Sequence, residues 1–201
     1  MKRFVITIGR EFGCSASGVG RKLAEKLGVN FYERELVDKA REISGMDETT
    51  IYNLDHKKHG VDKVKQYVNE FGFGVSNSDF SEKAVQAQAS AIREIAGKES
   101  CVMFGRCADY FLSSYDNVLN VFLYAPIDFR LNHVVKAYDL TKHEASVLIK
   151  KVDRRRHMWY KYVTGKSRED RTNRHIMFNM KDFSVDEVVE IIYQIAVNRF
   201  N

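Results

Sequence analysis

The stretch Arg3–Gly28, RFVITIGREFGCSASGVGRKLAEKLG, decides how this chain is read. Its first residues, Phe4 to Ile8, are apolar and β-branched and predict a short buried strand. A loop of small residues follows, and from Gly18 onward Val19, Leu23 and Leu27 fall on one helical face. Strand, small-residue loop and helix N-terminus, in that order, make an anion site. The first N–H groups of the helix lack intrahelical acceptors, and the positive end of its dipole lies at the same place. Phosphate is the usual occupant. The lysine-bearing pattern G-x-x-x-x-G-K-[ST] is nevertheless not completed, because Gly9, Gly13, Gly18 and Gly20 are present without the lysine.

Outside this stretch the chain reads as one α/β domain. Its 201 residues, 44% hydrophobic and 29% charged, suffice for a core. No apolar run approaches the roughly 20 residues of a membrane span. The start MKRFVITIG enters a strand at once, which predicts no signal peptide and a cytoplasmic protein. Cys14, Cys101 and Cys107 have no metal-ligand spacing and read as reduced thiols. The net charge of +5 favours anionic partners but is too mild to imply nucleic acid.

Further strands are predicted at Val29–Tyr32, Cys101–Phe104, Val118–Tyr124 and His175–Phe178, with helical patterns between them, as in a parallel sheet with crossover helices. Thr141-x-x-Glu144 and Ser184-x-x-Glu187 are capping boxes that open two helices. Residues 44–78 read as a helical insert, and residues 153–173, rich in arginine, lysine and aromatics, as a lid. Trp159, Tyr160 and Tyr162 are expected to pack that lid on the core. Arg106 follows the third strand at the sheet's carboxyl edge, where such sheets bind ligands, and can aim its planar fork at a phosphate. Of the run Arg154, Arg155 and Arg156, at most two face one site, because helical neighbours are about 100° apart. His56-x-x-His59 lacks a metal-site context and reads as surface.

These residues together resemble the cytidylate kinase-like family, close to nucleoside monophosphate kinases. Members read ITIGREFGSGGREIGKKLAEKLG, FYDRELI, GR-x-AD, a strand ending in AP with a following R, and a D-R-x-R lid. The counterparts are ITIGREFGCSASGVGRKLAEKLG, FYERELV, GRCADYFL, VFLYAPIDFR and DRRRHMWYKYVTG, then HIMFNM, in the same order over nearly the whole chain.

The resemblance implies a P-loop NTPase fold, a three-layer α/β/α sandwich with a five-stranded parallel sheet. It implies transfer of the γ-phosphoryl of ATP, with Mg2+, to a small acceptor, foremost a nucleoside monophosphate such as CMP. Gly9, Gly13, Cys14, Ser15, Ala16, Ser17 and Gly18 would form the phosphate loop. Arg106, Arg154 and Arg156 would neutralise the transferred group, Arg34, Arg106 and Arg130 would hold the acceptor, and Asn179 would lie near the donor base. No side chain is assigned to a metal.

The chain departs from its relatives at Ala16, where ordinary monophosphate kinases carry the lysine and the family commonly glycine, and at Ser17, where the family carries a replacing arginine; Arg21 or Lys22 would have to reach back. Arg174 stands where relatives often have tyrosine. The alternative reading is therefore a catalytically impaired nucleotide-binding regulatory module. A nucleic-acid partner is disfavoured because the cations cluster at the lid without a reader motif, and homo-oligomerisation is left open.

Overall fold

A computed structural model describes residues 1–44 and 82–201. Most of the expected insert, with Phe71–Gly74 and the histidines at 56 and 59, lies outside the described residues.

Five strands form one parallel sheet: β1 (Val5–Arg10), β2 (Asn30–Tyr32), β3 (Cys101–Phe104), β4 (Val118–Tyr124) and β5 (Ile176–Asn179), in the order β2-β3-β1-β4-β5. The predicted strands are all present. β1 runs two residues further than its apolar pattern, because pairing with β4 continues through Gly9↔Phe122 and Arg10↔Leu123. That extension carries an arginine into the edge of the sheet. β5 begins one residue later than expected. His175 still donates its amide to the Asn120 carbonyl (2.9 Å), while its ring Nδ1 accepts from Asn120 N at 2.9 Å.

The helices divide over the two faces. On one, α1 (Ala16–Leu27) and α7 (Val185–Phe200) bury Val19, Leu23, Val188 and Ile192 against Phe4, Ile6, Ile8 and Leu123. The other face receives α3 (Glu82–Lys98), the short α4 (Ala108–Phe111) and the C-terminal part of α6 (Lys142–Thr164). There Ile92, Phe111, Trp159 and Tyr160 pack over Val5 and Met103. α2 (Glu35–Ser44) lies against α3 through Ala40, Ala87 and Ala91. α5 (Ile127–Tyr138) and α6 enclose a third cluster that includes Phe12.

Both capping boxes form as read: the side chains of Thr141 and Ser184 accept from the amides of Glu144 and Glu187, whose carboxylates return the contact. Each cap contributes about 1 kcal/mol.

Two expectations are corrected here. α1 begins at Ala16, not near Gly18, because Ser15 turns the chain in a left-handed conformation (φ 63°) and the small residues after it are already helical. Residues 153–164, the first part of the expected lid, continue α6. Within them Trp159 and Tyr160 are core side chains, whereas Tyr162, expected to pack with them, remains 47% exposed, its ring centroid 6.1 Å from that of Trp159.

Candidate active site

β1 is the central strand, flanked by β3 and β4, so the chain reverses its direction of travel across the sheet there. The carboxyl edge at such a point is where open parallel sheets bind ligands. Two different structures meet on it: the loop after β1, and a cleft of arginines between β1, β3 and the segment after α6.

The loop between β1 and α1 is held from outside by side chains that flank its glycines. Glu11 accepts from Ala125 N (3.1 Å) and pairs with Arg130 Nε (3.3 Å). Phe12 is buried, stacked 5.9 Å from Tyr138, with its amide donated to Asp153 Oδ1 (3.0 Å) and its carbonyl accepting from Arg130 Nη1 (3.3 Å). Arg130 Nη1 also donates to Asp153 Oδ2 at 2.5 Å.

Gly13 is required where it stands. Its φ is +83°, and a Cβ there would lie 2.7 Å from Val134 Cγ2 and 3.2 Å from the Arg130 carbonyl. The start of α1 carries no side-chain cap and no acidic residue in its first turn. No side chain of the cap or first turn therefore competes with an anion for the first amides and the dipole of α1.

Among the loop residues, Cys14 is not a nucleophile. Burial pushes its thiol up to about 11, and it donates to the carbonyls of Glu11 (3.2 Å) and Leu123 (3.5 Å). Cys101 and Cys107 are likewise buried, with thiols raised by burial. Ala16 is buried against the core while Ser17 is exposed, so the two positions where relatives carry a cation are not equivalent. Neither Arg21 nor Lys22 reaches back to the loop: Arg21 lies over Phe31 (5.3 Å) and pairs with Glu33 (3.8 Å), and Lys22 pairs with Asp186 (2.7 Å).

The second structure is a narrow cleft lined by Arg10, Arg106, Arg156, Arg168 and Arg174, with Asp109. Arg106 is fixed by its backbone, left-handed at φ 60° directly after β3. Arg10 lies 3.8 Å from the centroid of Phe104 and pairs with Glu33 at 3.3 Å. Its guanidinium also occupies the space a side chain at residue 105 would need, and Gly105 has φ +79°.

Arg156 is buried, one guanidinium-length from Phe12, 5.6 Å to the ring centroid. Arg168 donates to the Arg10 carbonyl and faces Asp153 Oδ1 at 3.7 Å. Arg174 pairs with Asp109, which also accepts from Tyr160 Oη (3.1 Å).

Like charges crowd here. Burial holds Arg10 well below its ordinary value, Arg156, Arg168 and Arg106 add to this, and Glu33 opposes it. Burial, with Arg168 next, brings Arg156 down to about 10. Among the described residues, these five guanidiniums face three carboxylates, Asp109, Glu33 and Asp153, so positive charge predominates in a poorly hydrated place. Such an excess is costly without an anion.

Phe122, Arg168 and Arg174 also border a wider cleft of about 590 Å3, whose wall includes Tyr124, Arg130, Arg154, His157 and Asp170. This volume lies within the usual range for small-molecule sites. Arg154 and Arg156 open into different clefts, as residues two apart on a helix must, since they point about 200° apart.

Of the residues expected to act together, Arg106 and Arg156 meet in the narrow cleft. Arg130 belongs to the loop and the wide cleft, and Arg34 lies exposed outside both, its carbonyl accepting from Asp38 N at the start of α2. Asn179 is engaged in closing its own turn, donating to Asp182 Oδ2 (2.6 Å). Sequence reasoning missed Arg10, Arg168 and Asp109. The signal for Arg10 was its place after Gly9, one residue beyond the apolar run. Asp109 closed the GR-x-AD segment but was given no role, and Arg168 stood in the basic lid stretch with no local signal of its own.

No curated protein sequence matches this chain. A solved structure of an uncharacterized protein from Eubacterium ventriosum is similar at 24% identity with a TM-score of 0.73, covering 98% of this chain and 99% of that one. A shikimate kinase from Bacteroides thetaiotaomicron is similar at 16% identity and TM-score 0.52, covering 96% and 97%. A shikimate kinase from Acinetobacter baumannii in complex with shikimate reaches 14% and 0.50, covering 98% and 94%. At these identities the likeness establishes the fold, that of P-loop kinases. The ordered motifs from the first loop to the last strand agree with a match over residues 5–182, and the chain belongs to the cytidylate kinase-like family.

Proposed function

We propose that this protein transfers the γ-phosphoryl of ATP to a small acceptor that ends in a phosphate dianion, foremost a nucleoside monophosphate such as CMP. The observation that carries this reading is the buried arginine excess beside an uncapped helix N-terminus. The two anion-seeking structures share the carboxyl edge of β1, where a donor phosphate in the loop and an acceptor phosphate in the cleft would be neighbours. Arg106 and Arg156 then hold and neutralise the acceptor side, Arg130 and Asp153 fix the loop, and the wide cleft offers room for the rest of a nucleotide. Catalysis of this kind is positioning and charge neutralisation, with no covalent enzyme intermediate.

Mg2+ would accompany ATP. No group of three histidine, cysteine or acidic side chains able to hold a metal occurs among the described residues. The ion would be carried chiefly by phosphate oxygens and water, as Mg2+ commonly is. No helix among the described residues is long and apolar enough to cross a membrane.

The second reading, a nucleotide-binding module without turnover, is favoured by one observation: Ala16 is packed into the core at the position where ordinary monophosphate kinases have the loop lysine. A coupled ADP-release assay over CMP, dCMP, UMP, AMP, GMP and shikimate separates the two. The expected result is ADP formation that depends on a monophosphate, with acceptor affinity roughly tenfold to hundredfold weaker in Arg106→Ala. ATP binding without ADP formation under any acceptor establishes the second reading. Turnover on shikimate alone, with Arg106→Ala unchanged, overturns the monophosphate assignment.

A further inference from the structure

With alanine at 16, and with Arg21 and Lys22 engaged elsewhere, side-chain charge at the phosphate loop has to come from another element. α5 is the helix packed on the loop, as the contacts of Gly13 with Val134 and Arg130 show. Two of its polar side chains, one turn apart, reach the loop. Arg130 is committed to Glu11, Asp153 and the Phe12 carbonyl. The other is His133, whose Nδ1 lies 3.3 Å from Ser15 Oγ. Ser15 is the residue from which α1 departs, and its hydroxyl does not cap the helix. The imidazole therefore stands beside the point where the first amides of α1 converge.

We propose that His133 is a phosphate-contacting residue of the donor site, donating a ring N–H to the phosphate in the loop and, as imidazolium, supplying the charge absent at Ala16. The inference rests on the donor-site reading above and names a residue which that reading leaves unassigned. Binding then takes up a proton from solvent.

Among the described residues, the charged groups around the ring are few. On α5 they are Arg130, neutralised by Glu11 and Asp153, and at the next turn the exposed Lys136. The loop presents Ser15 and Glu11, and α6 presents Asp153, which Arg130 holds. In the free protein, burial lowers the ring below its ordinary value, so it is neutral near pH 7. A phosphate dianion at hydrogen-bond distance acts in the opposite direction.

The test is calorimetric titration of the full chain with Mg-ATP at pH 6 and pH 8, for wild type, His133→Ala, His133→Gln, His133→Lys and Lys136→Ala, each checked for folding by thermal unfolding. Protonation of ATP itself is common to all proteins and cancels in the ratio of dissociation constants. The expected result is a loss of roughly tenfold at pH 6 in His133→Ala and His133→Gln, shrinking at pH 8. His133→Lys should restore affinity with little dependence on pH, and Lys136→Ala should match wild type. Wild-type constants at both pH values in the alanine and glutamine variants overturn the inference while leaving the donor site standing. No binding of Mg-ATP or tripolyphosphate by the wild type overturns both.

Discussion

The two halves of the proposed site would gather positive charge by opposite means. The loop after β1 contains no cation between Glu11 and Gly20, so an anion there would be held by backbone amides and a helix dipole, with a glycine that lets α5 close on the loop. The cleft beside it would rely on side chains, five guanidiniums brought from β1, from the turn after β3, from α6 and from the segment beyond it. A backbone site needs shape, so one misplaced Cβ ruins it. A side-chain site needs convergence, and it tolerates single losses in fold while losing affinity. Asp153 joins the two, accepting from the loop amide of Phe12 and from Arg130 while facing Arg168.

The largest effect should come from the loop. In Gly13→Ala the new Cβ meets Val134 and the Arg130 backbone in a positive-φ conformation. Strain of this kind costs about 1–3 kcal/mol before the overlap is counted. Thermal unfolding should drop accordingly, and Mg-ATP binding should weaken at least about a hundredfold. A variant that binds ATP as wild type does would break the claim that this half works by shape.

A middle-sized effect, of the other kind, is expected in the cleft. Arg156→Met removes one of several crowded buried cations and keeps the stem that packs near Phe12. In phosphate-free buffer this variant should unfold no earlier than wild type, because like-charge repulsion is relieved. CMP binding should fall roughly tenfold to hundredfold with Mg-ATP binding retained. Calorimetry showing equal loss for both ligands would mean that the two halves are not separable.

The smallest effect lies away from both and serves as their reference. His175 accepts the Asn120 amide at Nδ1, and burial, then Arg199, hold it below its ordinary value. Below about pH 6.5 the unfolded chain binds a proton that the folded one resists, so stability rises with pH through that window. Urea unfolding at pH 5.5 and 7.5 should differ less in His175→Asn than in wild type, by about 1 kcal/mol or less at pH 5.5. Affinity for ATP should not follow, which distinguishes this histidine from His133. An undiminished pH difference would show that Asn120 is satisfied without the neutral ring.

Much of the architecture was legible in the chain itself, because its signals are local. Apolar runs of strand length, Thr141 with Glu144, Ser184 with Glu187, and the small residues after Gly9 each act within one or two helical turns. They produced five parallel strands and two capped helices where expected. Local reading went astray where a neighbouring strand or turn overrode it. β1 reached Arg10 because β4 kept pairing, and α1 began at Ala16, ahead of Gly18, because the chain turns at Ser15.

The tertiary structure alone decided which charges meet. Arg10, Arg106, Arg156 and Arg168 are separated by most of the chain and converge only because their elements end on the same edge of the sheet. Arg34, which the resemblance put on the acceptor side, ends outside. Periodicity determines which face a residue takes on its own element. The distance between two elements is set by packing volumes and crossover geometry over the whole fold, and a charge has no local pattern that records where those will carry it.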